Sequence, residues 1–585
     1  MEPGRFSAPF RRARRIAACT ALAVSAGMLL AVPAAADDTP PAPVEQTKPV
    51  FQHPTLTLPK SAPKATGTGD SRVTVEAQDD VPVAKPRADI DGDGYSELIY
   101  RGIDNQIWVT PSNGDPDYVY NFASSEAENE RYKDVFTVAG LEATGPVHFT
   151  LLSSGRLAAH RNGSGGLNIW FGTGWQIYNK VFSPGDLTGD GSGDILARTP
   201  TGDLYLYPTT PGAAAPMGPR IKIGSGWQGY DQLIGVNDVN GDAIADLFAR
   251  NPAGELYFYS GNPDVSSPFK GRVKVGNGWN GYNQIFGIDD LNGDGYAEVL
   301  ARTPAGVLYS YISTGTGAFE ARQQGGSGWN AASQFVGAGN NPHFGKNELV
   351  GIDTKGTLWA YYAMNNGLLS ARNQASDIGG FQGAKITFSS ALDADGFGEL
   401  LELYNGSLYN LSHYTQSAWH IGSGWGIYTH LVGVGDLSGD GKGDLLARDS
   451  SGVLWLYRGD GSGTTFSPRI RLGSGWNAFN KLLGAGDVNG DGRADLIARG
   501  TDGKLYLYAG TGSATAPFKA RTLIGSGWNT YNKLAAPGDL TGDGLADIVG
   551  VNAAGELYRY DANGFGAFKA KAKVGNGWNT YATLH

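Results

Sequence analysis

Residues 431–448 read LVGVGDLSGDGKGDLLAR, and this stretch decides the fold because it recurs along the chain. It is followed by GVLWLY at 452–457 and by RIRLGSGW at 469–476. The acidic loop that begins at Asp436 has further copies at spacings of 51 or 52 residues, beginning at Asp186, Asp238, Asp290, Asp487 and Asp539. Self-similarity at a period of about 50 residues indicates a repeat architecture.

Each repeat contains four short runs with the alternation of a β-strand. The first precedes the acidic loop, the second follows it, the third is entered by a Gly turn, and the fourth precedes Gly-x-Gly-Trp. Apolar alternation bounded by Gly, Asn, Asp and Pro is the signature of strands and hairpins. Four-stranded units in series predict an all-β protein, a β-propeller of about ten units of ~50 residues.

The number of rings is less well determined by the sequence. Weak copies occur around 141–160, at 340–348, where Pro342 and Phe344 replace oxygen ligands, and at 391–399. Ten blades exceed the usual four to eight of one ring. We therefore predict two rings, residues 88–338 and 339–585, with the seam near Asn340; one larger ring or an unequal split are the alternatives.

The N-terminal segment has the pattern of an export signal. Four Arg between positions 11 and 15 precede an apolar run at 16–32 and the small residues 33–36, which predicts a signal peptide over 1–36. A lipoprotein box at Cys19 and twin-arginine export are the competing interpretations. Residues 37–87 hold nine prolines and are predicted to be a disordered linker. We expect a secreted monomer without a membrane span, and association with a cell wall stays open.

Seven loops share the pattern D-x-[DNST]-x-D-[GA]-x-x-[DE], with oxygen ligands at positions one, three, five and nine. Such loops suit Ca²⁺, and the residue at position six must allow a positive φ, for which Ala243 is a strained substitute for Gly. We predict about seven structural Ca²⁺ sites. The predicted ligands are Asp89, Asp91, Asp93, Glu97; Asp186, Thr188, Asp190, Asp194; Asp238, Asn240, Asp242, Asp246; Asp290, Asn292, Asp294, Glu298; Asp436, Ser438, Asp440, Asp444; Asp487, Asn489, Asp491, Asp495; Asp539, Thr541, Asp543 and Asp547.

The net charge agrees with a metal-binding function for these loops. The whole chain carries −10, and −14 once the five Arg and one Glu of residues 1–36 are removed. Seven Ca²⁺ ions would neutralise that charge, since the loops hold 22 acidic residues. An acidic chain does not fit general nucleic-acid binding. The single Cys, at position 19, rules out a disulfide framework.

These loops resemble the FG-GAP or VCBS repeat of integrin-α-like β-propellers, and the Gly-Ser-Gly-Trp-Asn-x-Tyr element is similar to the repeat of tachylectin-like lectins. The resemblance implies a Ca²⁺ loop between the first two strands of each blade. It leaves function open, because such propellers occur in adhesion proteins, in lectins and on secreted hydrolases.

The Trp of the repeated Gly-x-Gly-Trp element has two interpretations. It packs between neighbouring blades, or it lines a sugar pocket together with the following Asn or Gln, a Tyr and the repeated Arg at the end of the second strand. The candidate ligand-binding residues are Trp175, Trp227, Trp279, Trp329, Trp425, Trp476, Trp528 and Trp578.

A binding function is favoured over catalysis. The eight His recur at no fixed place in the repeat, and the sequence contains no H-E-x-x-H, G-x-S-x-G or phosphate-loop motif. We predict a non-enzymatic, calcium-binding, lectin-like protein whose partners are extracellular glycans. An adhesion scaffold that binds cell-surface proteins is the main alternative, and a hydrolase with a hidden site is a further one.

Overall fold

The computed structural model describes residues 53–56, 84–104, 106–121, 132–152, 154–163, 167–339, 345–393, 396–411 and 418–585. The predicted signal peptide and most of the predicted linker lie outside these ranges. In the described residues the chain is all-β, with ten sheets of antiparallel strands. This confirms the predicted fold class, an all-β propeller of ten four-stranded units.

The first half of the chain forms five sheets. Its strands are β1 (Thr55–Leu56), β2 (Leu98–Gly102), β3 (Ile107–Thr110), β4 (Tyr118–Tyr120), β5 (Tyr132–Glu142), β6 (Gly145–Leu152), β7 (Leu157–His160), β8 (Asn168–Gly172), β9 (Lys180–Gly185), β10 (Asp194–Arg198), β11 (Leu204–Tyr207), β12 (Ile221–Gly224), β13 (Gln232–Asn237), β14 (Asp246–Arg250), β15 (Leu256–Tyr259), β16 (Val273–Gly276), β17 (Gln284–Asp289), β18 (Glu298–Arg302), β19 (Leu308–Tyr311), β20 (Gln323–Ser327) and β21 (Ala332–Phe335).

The second half forms the other five sheets. Its strands are β22 (Glu348–Asp353), β23 (Leu358–Tyr362), β24 (Asn373–Gln374), β25 (Lys385–Ser389), β26 (Glu399–Tyr404), β27 (Ser407–Leu411), β28 (Ala418–Ser423), β29 (Tyr428–Gly435), β30 (Asp444–Asp449), β31 (Leu454–Arg458), β32 (Ile470–Gly473), β33 (Phe479–Gly486), β34 (Asp495–Gly500), β35 (Leu505–Tyr508), β36 (Thr522–Gly525), β37 (Tyr531–Gly538), β38 (Asp547–Asn552), β39 (Leu557–Tyr560), β40 (Ala572–Gly575) and β41 (Tyr581–Leu584).

Two long-range strand pairings divide the ten sheets into two sets of five. Strand β21, the last strand of the first half, pairs with β2 and so completes the sheet of β2, β3 and β4. Strand β41 pairs with β22 in the same way in the second half. Closure of this kind removes most exposed sheet edges. We call these sets the first ring and the second ring.

The hydrophobic cores lie between neighbouring sheets. One cluster joins Phe182 and Leu196 of one blade to Leu233 and Leu247 of the next, all at most 2% exposed. The same arrangement repeats around both rings, because inward and outward residues alternate along each strand. Each blade is therefore stabilised by its neighbours, as expected for stacked repeats.

Two short pieces of the predicted linker lie against the first ring, so the linker prediction does not hold for them. Strand β1 adds a fifth strand to the sheet of β17–β20 by pairing with β20. Further along, the guanidinium of Arg87 donates to the carbonyls of Ser183 and Gly235, on the innermost strands β9 and β13, and pairs with Asp289 at 2.6 Å. Arg87 thus occupies the central channel of the first ring.

The two rings contact each other through side-chain hydrogen bonds. Asn179 Nδ2 donates to the carbonyl of Asp491 at 2.9 Å, and Asn283 Nδ2 donates to that of Thr541 at 2.8 Å. The first-ring residues follow Gly-x-Gly-Trp elements, whereas the second-ring residues belong to acidic loops. The end of the second ring that carries its acidic loops therefore packs against the end of the first ring that lies opposite the first ring's own acidic loops.

Candidate functional site: the acidic loops and the blade surfaces

Six of the seven acidic loops connect the innermost strand of a blade to the second strand, and the loop at Asp89 precedes β2, whose innermost neighbour is β21. The loop at Asp186 joins β9 to β10, and the loop at Asp539 joins β37 to β38. All 28 predicted ligands are among the described residues. Every loop therefore places its own positions one, three, five and nine at one end of a blade.

The carboxylate at position one holds each loop in the same turn. Its two oxygens accept hydrogen bonds from the backbone N–H groups of positions four and six, for example at 2.6 and 2.6 Å for Asp186 and at 2.7 and 2.6 Å for Asp539. The remaining five loops repeat these two contacts. The backbone is thus wound around the first carboxylate.

Position six requires a left-handed backbone. Its glycines have φ between 78° and 93°, and Ala243 is held at 63° in the equivalent place. A non-glycine residue in this region is uncommon and costs free energy. The structure bears out the expectation that Ala243 is a strained substitute.

The carboxylate at position nine is fully buried in six of the loops and nearly so in the first. One oxygen of Asp194 accepts from the N–H of Leu187, at position two, and the other accepts from Thr209, which follows the third strand. Burial away from water raises the pKa of Asp194 to about 7, of Asp246 to about 8 and of Glu298 to about 9. The neighbouring acids of each loop add to the rise.

The first loop contains the clearest set of converging oxygen atoms. One oxygen each of Asp89, Asp91 and Glu97 lie within 4.8 Å of one another, the one group of three or more possible acidic, Cys or His ligands among the described residues. Glu97 Oε1 is buried and has no hydrogen-bond partner. A buried, unpaired carboxylate oxygen beside two further carboxylates fits a hard cation, and an all-oxygen donor set suits Ca²⁺.

Two acidic loops lie at the contact between the rings. Asp539 is 7% exposed and Thr541 is 6% exposed. Arg302 of the first ring also faces this loop, where its Nη2 lies 3.4 Å from the carbonyl of Gly542. The folding of these loops and the docking of the rings are therefore physically linked.

The eight Trp predicted as candidate ligand-binding residues lie in the blade cores, where they are 0–9% exposed. Each begins a three-residue 3₁₀ turn. The ring of Trp279 packs at 4.5 Å, between centroids, against Tyr311 of the next blade, and that of Trp425 packs likewise against Tyr457. Their burial agrees with the interpretation that these Trp pack between blades, and it leaves no open indole face for a sugar.

The Asn and Arg of the same repeat also serve the fold. Asn477 Nδ2 donates to the carbonyl of Ser450 at 3.1 Å and so braces the turn between two strands. Arg250 Nη1 donates to the carbonyls of Trp279 and Tyr282 at 3.0 and 2.6 Å. Equivalent bonds are made by Arg198, Arg302, Arg448 and Arg499. These Arg fix the 3₁₀ turn that ends their own repeat.

A repeated surface cluster was not identified from the sequence. In seven blades the cationic residue immediately before the fourth strand stacks on an aromatic ring of the third strand, as Arg272 does on Tyr257 at 4.4 Å. The other pairs are Arg220–Tyr205, Arg322–Tyr309, Arg372–Trp359, Arg469–Trp455, Arg521–Tyr506 and Lys571–Tyr558. We call these pairs the cation–aromatic clusters. Their sequence signal is an aromatic residue at the second position of the third strand, two places before its last Tyr in six of the seven blades.

Hydroxyl groups and carboxylates surround the stacked rings. Arg272 also donates to Tyr230 of the preceding repeat, whose hydroxyl lies 2.7 Å from that of Tyr259. Tyr257 donates to Glu255 at 2.9 Å, and Lys274 pairs with the same carboxylate. Hydrogen bonds from Lys274, Asn251 and Tyr257 lower the pKa of Glu255 to about 2. Each cluster therefore presents an aromatic ring, donors and acceptors at one junction between blades.

Comparison with known proteins agrees with the repeat. An FG-GAP-like repeat family model matches residues 436–498 and 487–550, so the chain carries FG-GAP-like repeats. No curated protein sequence matches the chain. One similar solved structure is a lectin from Agrocybe aegerita, described for specific recognition of non-reducing terminal N-acetylglucosamine. The two sequences are 16% identical, the match covers 84% of this chain and 98% of the lectin chain, and the TM-score is 0.25.

The described residues include no helix that is long and apolar enough to cross a membrane.

Proposed function

We propose that this protein is a secreted, calcium-binding β-propeller that binds glycans at the junctions between its blades. Export rests on the signal pattern of residues 1–36, and calcium rests on the seven acidic loops. The observation that carries glycan binding is the repetition of the cation–aromatic cluster in seven blades. No catalytic step is part of the proposal.

The chemistry of the cation–aromatic clusters suits a sugar. Tyr257 is half-buried, so part of its ring stays accessible beside the guanidinium of Arg272. An aromatic ring packs against the apolar C–H face of a pyranose, while charged groups and hydroxyls bond to the sugar hydroxyls. Equivalent sites on one rigid body would engage a polymeric glycan by avidity, so weak single sites suffice.

Calcium supports this function by fixing the blades. Six acidic loops connect the two inner strands of a blade, and in five of them the position-nine carboxylate also accepts a hydrogen bond from a residue that follows the third strand, as Asp246 does from the N–H of Gly261 at 2.7 Å. A cation in the loop would offset the repulsion of its three or four carboxylates. The blade junctions, and with them the proposed sugar sites, then keep a defined geometry.

A glycan array tests the proposal. The mature protein, folded in Ca²⁺, should bind a defined group of polymeric glycans, including chitin or peptidoglycan fragments among those tested. The triple variant R220M/R272M/R322M should bind the same glycans at least tenfold more weakly, because three adjacent clusters lose their guanidinium groups. The Arg→Lys triple variant keeps the charge but loses the planar group, and should fall between the two.

Folding must be verified for each variant by circular dichroism and by calcium binding. Folded wild-type protein that binds no glycan on the array would contradict the proposal and would direct the search to cell-surface proteins. Equal glycan binding by wild type and the Arg→Met triple variant would show that the cation–aromatic clusters are structural.

A further inference from the structure

The second ring has a half-open cavity at the end of its channel that faces away from the first ring. The cavity measures about 480 Å³ and is lined by parts of all five innermost strands, β25, β29, β33, β37 and β41. Residues at its rim, such as Thr429 and Asn480, are exposed. The mouth is therefore accessible to solvent in the described part of the chain.

Lys346 closes the inner end of this cavity. Its ammonium group donates to the carbonyls of Gly433 and Gly484, each at 3.0 Å, on strands β29 and β33. An ammonium group has three N–H donors, and no third acceptor is found for it among the described residues. One donor of Lys346 is thus left for a ligand in the channel.

The other side chains lining the mouth that can carry a charge near neutral pH are basic. Lys385, His430, Lys481 and His585 line the cavity, and its described lining includes no Asp or Glu. Glu402 pairs in register with Ile386 of the lining and is 5% exposed. The backbone carbonyl of His585 accepts from Val350 at 3.0 Å. Burial lowers the pKa of Lys346 to about 7 and that of Lys481 to about 8.

The corresponding end of the first ring is built differently. There Lys180 occupies the position that Lys481 has in the second ring. Lys180 pairs in register with Arg198, and Lys481 pairs in register with Arg499, the equivalent Arg of its own repeat. The cavity around Lys180 also contains Asp134 and Asp231, and the acidic loops of the second ring cover it. In the first ring, lining carboxylates compensate Lys180 and loops of the second ring cover it. The described lining of the second-ring mouth includes no acidic side chain.

We propose that the channel mouth of the second ring binds an anionic monosaccharide derivative, with its anionic group placed between Lys346, Lys385 and Lys481. Three lysines, with no acidic side chain in the described lining, favour a negative ligand, because attraction is strong in a partly enclosed site. The volume is that of a small-molecule site.

The backbone of the channel explains why a sugar fits better than a simple ion. The innermost strand of each blade pairs on one side only, so its other edge presents N–H and C=O groups to the channel. Five such edges offer the donors and acceptors that hydroxyl groups require. The anionic group can be a phosphate or a carboxylate, and titration with one sugar of each kind distinguishes the two.

Isothermal titration calorimetry in a phosphate-free buffer with Ca²⁺ tests the site. Glucose 6-phosphate and glucuronic acid are the two anionic probes, glucose is the neutral probe, and inorganic phosphate is the bare anion. We expect at least one anionic sugar to bind with one site per chain and glucose to give no heat. Affinity should fall as salt is raised, because the mouth is open to screening.

Lys481→Met should weaken binding of that sugar at least tenfold, and Lys385→Met should act in the same direction. Lys504→Met is the matched control, because Lys504 is 47% exposed and pairs with Asp502 outside the cavity; it should bind as wild type does. Circular dichroism verifies that each variant is folded.

Three results would overturn the proposal. They are the absence of binding by both anionic sugars, equal affinity for inorganic phosphate and the sugar phosphate, and unchanged affinity in Lys481→Met. The result is independent of the glycan array, because the R220M/R272M/R322M variant changes only the first ring and should keep full affinity for the anionic sugar.

Discussion

The side-chain amide of Asn283 donates a 2.8 Å hydrogen bond to the carbonyl of Thr541, 258 residues away in the other ring. Its oxygen accepts from Nε of Arg302 at 3.0 Å. Thr541 occupies position three of an acidic loop. A predicted metal ligand and the contact between the rings therefore share one residue.

Asn283→Ala should destabilise the protein by about 1–3 kcal/mol, because it leaves the buried Arg302 Nε and the Thr541 carbonyl without this partner. Urea denaturation followed by circular dichroism measures the change. Asn480→Ala is the matched control, since Asn480 accepts from Arg499 in the same way but is exposed. The control should cost less than about 0.5 kcal/mol, as exposed positions usually do. Equal losses would show that the rings do not bury Asn283 in solution.

Chelation of Ca²⁺ should lower the stability of both rings. A ligand that binds only the folded state adds about 2.7 kcal/mol per site at one hundred times its Kd. In calorimetric unfolding, the Tm in EDTA should lie well below the Tm in Ca²⁺. Added Mg²⁺ should recover little of the lost Tm, because Mg²⁺ binds poorly to flexible oxygen ligands that do not form an octahedron. An unchanged Tm in EDTA, with no calcium found by elemental analysis, would reject the metal sites.

Arg250→Met should cost about 3–5 kcal/mol, because it removes a buried guanidinium that pairs with the partly exposed Asp231 at 2.6 Å and leaves the carbonyls of Trp279 and Tyr282 without their donor. Arg499→Met provides the comparison. Arg499 makes the same carbonyl contacts but pairs with an amide, Asn480, and is less buried, so about 1–2 kcal/mol is expected. Denaturant titration of the two variants measures the difference. A larger loss in Arg499→Met would contradict this ranking.

The repeat made the blades and their loops predictable, because strand alternation and loop turns are local properties. Even the strain at Ala243 followed from its position in the loop. Contacts across the rings, such as Asn179 with Asp491, are set by packing of residues more than 300 apart in sequence and leave no local pattern. The sequence likewise did not determine the burial of Trp279, since the same turn could direct its ring toward the neighbouring blade or toward solvent.

The cation–aromatic clusters were missed for a related reason. Arg272 meets Tyr257 only because the third and fourth strands pair, with Tyr257 opposite Lys274. The turn between these strands varies in length from repeat to repeat, which hides the register in the sequence.

Trp227→Ala should separate packing from sugar stacking. Trp227 is 9% exposed and its ring lies 4.9 Å from that of Tyr259, so its removal should cost about 3–5 kcal/mol. Glycan binding per folded molecule should stay unchanged in this variant. Tyr257→Ala, at a half-buried position, should weaken glycan binding and cost less stability. Denaturation and glycan binding measured on both variants decide between the two roles, and the reverse pattern would restore Trp227 as a sugar platform.

His160 should make the protein sensitive to mild acid. It is 3% exposed, Nε2 lies 2.9 Å from Oγ1 of Thr150, and burial lowers its pKa to about 4. Because the folded-state pKa is below the unfolded value of about 6.5, its stabilising contribution is complete above pH 6.5 and is lost as the pH falls toward 4. The loss should approach about 1.4 kcal/mol per pH unit in that window. His160→Gln cannot take up the proton, so its free energy of unfolding should fall less steeply between pH 6.5 and 4, while the difference from wild type should be constant above pH 7. Urea titrations at several pH values measure this, with His53→Gln as the control at an exposed position. Parallel pH profiles for wild type and His160→Gln would rule out the histidine as a source of acid sensitivity.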